Sequence, residues 1–136
     1  MWIATNQGIR YYSLFSKKFE RITFSSYDQQ MLSGRIRQTL TGPDGALWFA
    51  DDHKLYRSNN GSITDVLNVS SQINEFAFQG ERLWVATSTG LEIYSLKNLQ
   101  QVTFPYLQVI AGKTIDHITA DGPNRLWISS GYQLFN

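Results

Sequence analysis

The chain contains no cysteine and only 3 prolines in 136 residues, and none of its apolar runs approaches the roughly 18 residues of a membrane-spanning helix. The missing cysteines exclude a disulfide scaffold, a thiolate metal site and a cysteine nucleophile. A charge excess is missing too, because 12 Lys plus Arg stand against 11 Asp plus Glu, and nonspecific binding to nucleic acid needs a basic excess. We therefore expect no nucleic-acid partner, no metal or cofactor, and no membrane contact by this segment.

Long helical periodicity is also missing, whereas one short phrase is present four times, each time around a tryptophan. The phrases are MWIATNQGI, LWFADDHKL, LWVATSTGL and LWISSGYQL. Their tryptophans, Trp2, Trp48, Trp84 and Trp127, are separated by 46, 36 and 43 residues. This period is close to the roughly 40–50 residues of a four-stranded propeller blade.

The residues around each tryptophan are typical of short strands covered on both faces. A second strand follows each phrase after a turn such as TNQG or TSTG, in which Gly8 and Gly90 favour a tight hairpin. Another strand precedes it, marked by Ile36, Ile73 and Ile115, which lie 12, 11 and 12 residues before their tryptophans. We place a fourth strand around FERITF, SITDVL and QQVTF.

These strands predict an all-β fold, a partial β-propeller of about 3.5 four-stranded antiparallel blades and about 14 strands in an incomplete ring. Residues 1–136 are then a fragment of a single propeller domain, with both ends cut within a blade. A tryptophan at the same strand position in every repeat indicates packing between blades rather than ligand stacking. We assign Trp2, Trp48, Trp84 and Trp127 to the structural core of the repeats.

LWIATNQG-like phrases that follow D-G turns resemble the two-component regulator propeller repeat, and the resemblance covers nearly the whole chain. It implies the periplasmic sensor region of a bacterial hybrid histidine kinase or GGDEF-type signalling protein, with a membrane span and a kinase or cyclase output domain outside these residues. Two positions depart from the repeat pattern. Lys54 and Gln133 replace the glycine of the turn after the tryptophan strand, and Gly42 replaces the aspartate present as Asp121.

The segment GPDGALWFADD also resembles the repeat of streptogramin lyases, which are propeller enzymes. That reading requires His53 or His117 to meet a carboxylate such as Glu75 or Glu92, and sequence alone does not bring them together. Three polar neighbours in a hairpin, Asp51, Asp52 and His53, are usually solvated turn residues. We therefore expect no catalytic residues, and keep the lyase as one alternative and a protein-interaction propeller without a small ligand as the other.

Propeller ligands tend to bind where loops from several blades converge. Here the candidate segments are residues 25–35 and 105–113 and the turns at 51–53 and 88–89. The residues proposed to bind a small molecule or carbohydrate are Tyr27, Arg35, Asp52, His53, Tyr106 and Lys113.

An incomplete ring exposes the faces and edges of its terminal blades. We expect a second copy of the chain, or the remaining blades of the parent propeller, to cover them. The expected location is periplasmic.

Overall fold

A computed structural model describes residues 1–6, 8–21, 24 and 35–136. Within these ranges the chain forms 13 β-strands and one short 3-10 helix, Pro105–Ile110. The strands make four small sheets, and every strand pair is antiparallel. The all-β class predicted from the repeats is confirmed. In the described part of the chain no helix has both the length and the apolar character needed to cross a membrane.

The first compact unit, Met1–Asn68, holds a three-stranded sheet followed by a four-stranded one. In both sheets the strands are adjacent in the order in which the chain forms them. They are β1 (Trp2–Thr5), β2 (Gly8–Ser13), β3 (Lys18–Arg21), β4 (Gln38–Thr41), β5 (Leu47–Ala50), β6 (Lys54–Asn59) and β7 (Ser62–Asn68).

The second compact unit, Val69–Asn136, holds two three-stranded sheets with the 3-10 helix between them in sequence. Its strands are β8 (Ile73–Gln79), β9 (Arg82–Thr87), β10 (Gly90–Ser95), β11 (His117–Ala120), β12 (Leu126–Ser130) and β13 (Gln133–Phe135).

Each tryptophan lies on the strand predicted for it. Trp48 is 1% exposed and Trp84 5% exposed, whereas Trp2 and Trp127 are half-buried. In the first unit Trp2 packs against a buried cluster that includes Phe49 of the next sheet. In the second unit Trp84 belongs to a cluster that extends into the next sheet, so the tryptophan is committed to packing between sheets in both units.

The three repeated isoleucines are all buried. Ile73 begins β8, while Ile36 and Ile115 lie two residues before β4 and β11. These positions therefore fill the core at the entry to the first strand of a sheet, and two of the three strands begin slightly later than the pattern suggests.

The third sheet departs from the predicted four strands. The predicted fourth strand around QQVTF is not formed, and these residues make only an isolated bridge between Tyr94 and Gln101. Two backbone hydrogen bonds join the segment to β10, from Ser95 N–H to Gln100 O at 3.0 Å and from Val102 N–H to Ile93 O at 2.8 Å. Phe104 then leads into the 3-10 helix, and Pro105 removes the N–H that a continuing strand would need. The described residues thus contain 13 strands rather than about 14.

The structure explains the glycine at position 42. Gly42 N–H donates to Ala46 O at 2.9 Å, as Asp121 N–H donates to Arg125 O at 2.9 Å in the fourth repeat. A Cβ atom at Gly42 would lie 2.6 Å from Asp44 Oδ1 and 2.7 Å from Trp48 Nε1. The second repeat therefore has its aspartate, Asp44, two residues later in this turn than the fourth repeat has Asp121.

A carboxylate also closes the turn after the tryptophan strand of the second repeat, where Lys54 replaces the glycine of the repeat pattern. Asp51 Oδ1 accepts hydrogen bonds from the backbone N–H groups of His53 at 2.8 Å and Lys54 at 2.7 Å. In the first and third repeats a threonine closes this turn instead, since the hydroxyls of Thr5 and Thr87 donate to Gly8 O and Gly90 O at 2.7 and 2.8 Å. The second repeat keeps the hairpin by an Asx turn.

Candidate ligand-binding cleft

A cleft of about 530 Å³ lies in the second unit beside the outer edge of β10. It lies where a fourth strand would pair with β10, because the chain leaves that strand after Val102 and turns into the 3-10 helix. We call it the Glu92 cleft. It is lined by Ser70, Thr87, Thr89, Gly90, Leu91, Glu92, residues 101–105, Leu107, Gln108 and Ala111.

The segments around the cleft are tied together by hydrogen bonds. Gly112 N–H donates to Thr89 O at 2.8 Å, Thr114 Oγ1 donates to Ser88 O at 3.0 Å, and Ile115 N–H donates to Thr87 O at 2.9 Å. The connection after the 3-10 helix is thereby held against the turn between β9 and β10. The cleft is lined in part by the predicted segments 88–89 and 105–113.

The lining is rich in uncharged hydrogen-bonding groups. Hydroxyl and amide side chains come from Ser70, Thr87, Thr89, Gln101, Thr103 and Gln108. Among the described residues that line the cleft, Glu92 is the one ionisable side chain. Its polar surface therefore suits a neutral ligand that can both donate and accept hydrogen bonds.

The Glu92 carboxylate is 8% exposed and held from two sides. Its Oε1 accepts from the Ser70 hydroxyl and, at 3.3 Å, from Ser70 N–H, while its Oε2 accepts from the Tyr94 hydroxyl. Burying a carboxylate is costly unless such donors compensate. The network fixes the carboxylate at the cleft and leaves acceptor capacity on Oε2, because each oxygen offers about two lone-pair sites and Oε1 already accepts two hydrogen bonds.

Tyr94 is kept as a hydrogen-bond donor by its surroundings. Burial raises the pKa of the Tyr94 hydroxyl, and the hydrogen bond to Glu92 and the negative charge of that carboxylate raise it further. The phenol therefore stays protonated at neutral pH and donates to Glu92. Nothing in this arrangement needs a cation to neutralise the site, since the three donors come from the protein.

Aromatic and cationic groups stack beside the cleft. The rings of Phe104 and Tyr106 are 5.2 Å apart and nearly parallel, and the Arg82 guanidinium lies 4.8 Å from the Phe104 centroid. Phe104 lines the Glu92 cleft, whereas Tyr106 lines a second groove of about 510 Å³ that includes Trp84 and Phe135. Leu107 lines both cavities.

The predicted ligand residues of the first unit lie on its surface. Arg35, Asp52 and His53 are exposed, and Asp52 forms an ion pair with Arg37 rather than with His53. Tyr27 lies outside the described residues. Asp51, beside them, is occupied in closing its turn and in accepting a hydrogen bond from Tyr56 at 2.8 Å.

The predicted ligand residues of the second unit are engaged separately. Tyr106 is 60% exposed and stacks on Phe104, while Lys113 Nζ lies 5.4 Å from the centroid of Phe135. Neither residue lines the Glu92 cleft. These assignments stay predictions.

A histidine and a carboxylate do meet in the second unit. His117 Nδ1 lies 3.5 Å from Glu75 Oε2, and the same oxygen accepts from Ile118 N–H at 2.7 Å. The Glu75 carboxylate therefore links β8 to β11, together with Asn74 Nδ2, which donates to Ile115 O at 2.8 Å. His117 is mostly solvent-exposed, with 77% of its side chain accessible.

The sequence predicts Glu92 only as a possible carboxylate partner for His53 or His117, and not as a ligand-binding residue. Two features of the sequence could have indicated the cleft: a lone acid in the apolar strand LEIY, and Pro105 directly after the expected fourth strand. The first indicates a buried carboxylate that needs donors, and the second indicates a strand that stops early.

No family model matches the chain, and no curated protein matches it. Solved structures, however, do match the chain. Two are of the extracellular domain of BT4673 from B. thetaiotaomicron, described in one as a "putative hybrid two component system" and in the other as a "putative one component system". The TM-scores are 0.70 and 0.68 at 16% and 17% identity, over 96% of this chain. The chain spans about a fifth of their length, 19% and 18%.

Proposed function

We propose that this chain is a non-enzymatic, ligand-sensing part of the extracytoplasmic region of a bacterial membrane-bound signal-transduction protein. The fold it shares with the extracellular domains of BT4673 supports an extracytoplasmic sensor. The repeats support a propeller in which the four sheets are successive blades. Its ligand-binding site is the Glu92 cleft.

The observation that carries this proposal is the replacement of the expected fourth strand by a cleft whose lining includes several hydrogen-bonding side chains. The second sheet, which has all four strands, pairs β6 with β7 from Lys54 to Asn59. In the third sheet, among the described residues, no strand pairs with the same edge from Gly90 to Glu92. A ligand that binds in the open space can compensate for the loss of these ladder hydrogen bonds.

A carbohydrate is the ligand that fits the lining best. Sugar hydroxyls both donate and accept, as do the Ser, Thr and Gln side chains of the cleft, and Glu92 Oε2 offers a charged acceptor for a strong hydrogen bond. The apolar lining residues Leu91, Val102 and Leu107 add surface for a sugar face. The cleft volume lies in the range of small-molecule sites, roughly 300–1,000 Å³.

Binding of neutral oligosaccharides to the 136-residue chain tests the proposal. We expect a panel of di- to hexasaccharides to include ligands that give a saturable heat signal in calorimetry. Glu92→Gln should weaken that binding by about 10-fold or more, since hydrogen bonds to a charged group contribute about 1.5–3 kcal/mol. Glu81→Gln makes the same chemical change on an exposed residue and should bind as the parent chain does. Equal binding by both variants, or none by the parent chain, would count against it.

The terminal sheet supports a second copy, or further blades, as partner. Leu134 is 66% exposed and pairs with Ser129, so it shares a face of the sheet with Trp127. The tryptophans of the first and third sheets pack against a following sheet. By the same geometry Trp127 requires one, which a head-to-tail copy of the chain can supply.

The contact between His117 and Glu75 is the observation that favours the alternative of a propeller lyase. It is the pairing that such an enzyme requires, although Glu75 already serves Ile118 N–H. A divalent-cation-dependent elimination of a cyclic ester, lost in His117→Ala and kept in His53→Ala, would establish the enzyme. We expect no turnover from the parent chain.

A further inference from the structure

The turn between β2 and β3 exposes two consecutive large apolar side chains. Leu14 is 77% exposed and Phe15 fully exposed at the apex of the hairpin, and Phe19 on β3 is 66% exposed. Single exposed apolar residues are common, but a projecting pair with a third beside it marks an interaction site.

The same hairpin carries a concentrated positive charge. Residues 8–21 contain four cations, Arg10, Lys17, Lys18 and Arg21, and one anion, Glu20. The hairpin thus has a formal net charge of +3 in a chain whose total is +1. Lys17 and Lys18 follow the apolar pair directly, so apolar and cationic groups are presented together.

The turn is held in place by its own contacts. Ser13 pairs with Lys18 across the hairpin, and Ser16 N–H donates to Ser13 Oγ at 3.1 Å. The rings of Tyr12 and Phe19 are 4.9 Å apart on the adjoining strands. The apolar pair therefore projects from a formed turn and pays little ordering entropy when it is buried.

We propose that this hairpin docks onto an anionic lipid surface, with Leu14 and Phe15 inserted at the interface and the two lysines on the headgroups. Peripheral membrane binding combines buried apolar area with attraction to anionic lipid. Lysine is depleted at protein–protein interfaces, so a lysine pair beside the apolar tip favours a lipid surface over a protein partner. The lack of a membrane-spanning run predicts no membrane contact by this segment, and the proposal departs from that prediction because Leu14 and Phe15 are exposed.

Co-sedimentation of the 136-residue chain with vesicles tests the docking. We expect binding to vesicles of phosphatidylcholine with phosphatidylglycerol, weaker binding to phosphatidylcholine alone, and loss of affinity as salt rises. Lys17→Gln with Lys18→Gln should lower the affinity by about 25-fold, since each basic residue near an anionic surface contributes roughly fivefold. Leu14→Ser with Phe15→Ser should lower it at least as much.

Tyr132→Ser is the matched control, because Tyr132 is a fully exposed aromatic residue of the other unit and should leave binding unchanged. Circular dichroism verifies that each variant is folded. If the Leu14→Ser, Phe15→Ser variant does not fold, the lysine variant alone tests the proposal. The proposal is overturned if the parent chain does not bind anionic vesicles, which would leave a protein as the occupant. It is also overturned if the hairpin variants bind like the parent chain or if Tyr132→Ser loses as much affinity.

Discussion

Trp127 Nε1 donates a hydrogen bond to Asp121 Oδ2 at 3.2 Å, which ties the turn before β12 to the indole that marks the repeat. The same carboxylate oxygen accepts from Arg125 at 3.2 Å. In the second repeat Asp44 occupies this place, against the indole of Trp48. In the third repeat the turn is only Gly80 and Glu81, and Trp84 Nε1 has no hydrogen-bond partner within the described residues.

Asp121→Ala is expected to lower the free energy of unfolding by about 0.5–1.5 kcal/mol, the usual net value of a hydrogen bond, and toward the low end because the aspartate is half-exposed. Urea unfolding of Asp121→Ala, Trp127→Phe and the double variant measures the coupling. We expect the two costs to be less than additive, because each change removes the same bond. Strict additivity would show that the bond contributes nothing.

Gly42→Ala is expected to destabilise the second sheet by roughly 1–3 kcal/mol, since the new Cβ would meet Asp44 and Trp48 at under 3 Å. The indole must shift, so Trp48→Phe should partly relieve the clash. The double variant should then be more stable than the sum of the two single changes predicts. Thermal unfolding provides the comparison, and an unchanged Gly42→Ala variant would contradict the geometry.

Acid should weaken the turn that Asp44 closes. Burial raises the pKa of Asp44, but the Ala46 N–H at 3.1 Å and the Arg57 guanidinium at 2.5 Å outweigh it and hold the pKa below its ordinary value. Because the pKa of Asp44 is lower in the folded state, its ionised carboxylate stabilises the fold at pH values above the unfolded pKa of about 3.9. This stabilisation is lost as pH falls below that value and through the folded-state pKa.

The stability difference between the parent chain and Asp44→Asn should therefore be present at pH 7 and shrink as pH falls below about 4. Urea unfolding across this range measures it. Glu81→Gln, at an exposed side chain, is the control. A difference that stays constant with pH would mean that the ion pair with Arg57 is not involved.

Self-association through the terminal sheet should appear in light scattering. We expect the chain to associate as its concentration rises, and Leu134→Glu to prevent this by placing a charge on the face that carries Trp127. Tyr106→Glu introduces the same charge at an exposed residue of the 3-10 helix and should not. A monodisperse monomer at high concentration would contradict head-to-tail pairing.

The repeat unit could be predicted because its signals are local. The tryptophan phrases and the turns around them predict strands, and the repeated isoleucines predict buried positions. The structure has these strands paired as expected, and it buries Ile36, Ile73 and Ile115. The missing fourth strand could not be predicted from composition, because QQVTF has strand-forming residues. Whether this fourth strand forms depends on Pro105 and on the packing of Leu107 and Ile110 in the core of the second unit.

The cleft was harder to predict than the fold. Loops such as residues 105–113 are recognisable by position, but which of their side chains meet a buried carboxylate depends on tertiary contacts between Ser70, Glu92 and Tyr94. Ser70 and Glu92 are 22 residues apart in sequence, and no short motif joins them. Exposed polar residues such as Asp52 and His53 look equally suitable in sequence, yet Asp52 lies in an ion pair with Arg37.

Backbone amide NMR of the 136-residue chain, titrated with an oligosaccharide that binds it, tests the central claim most directly. The account predicts that the largest chemical-shift changes cluster at Ser70, Thr89, Glu92, Gln101 and Thr103 around the cleft. It also predicts that Glu92→Gln needs about 10-fold more ligand, or still more, to produce them and leaves the rest of the spectrum in place. Changes confined to Asp52, His53 and Lys113, with the cleft unaffected, would contradict it.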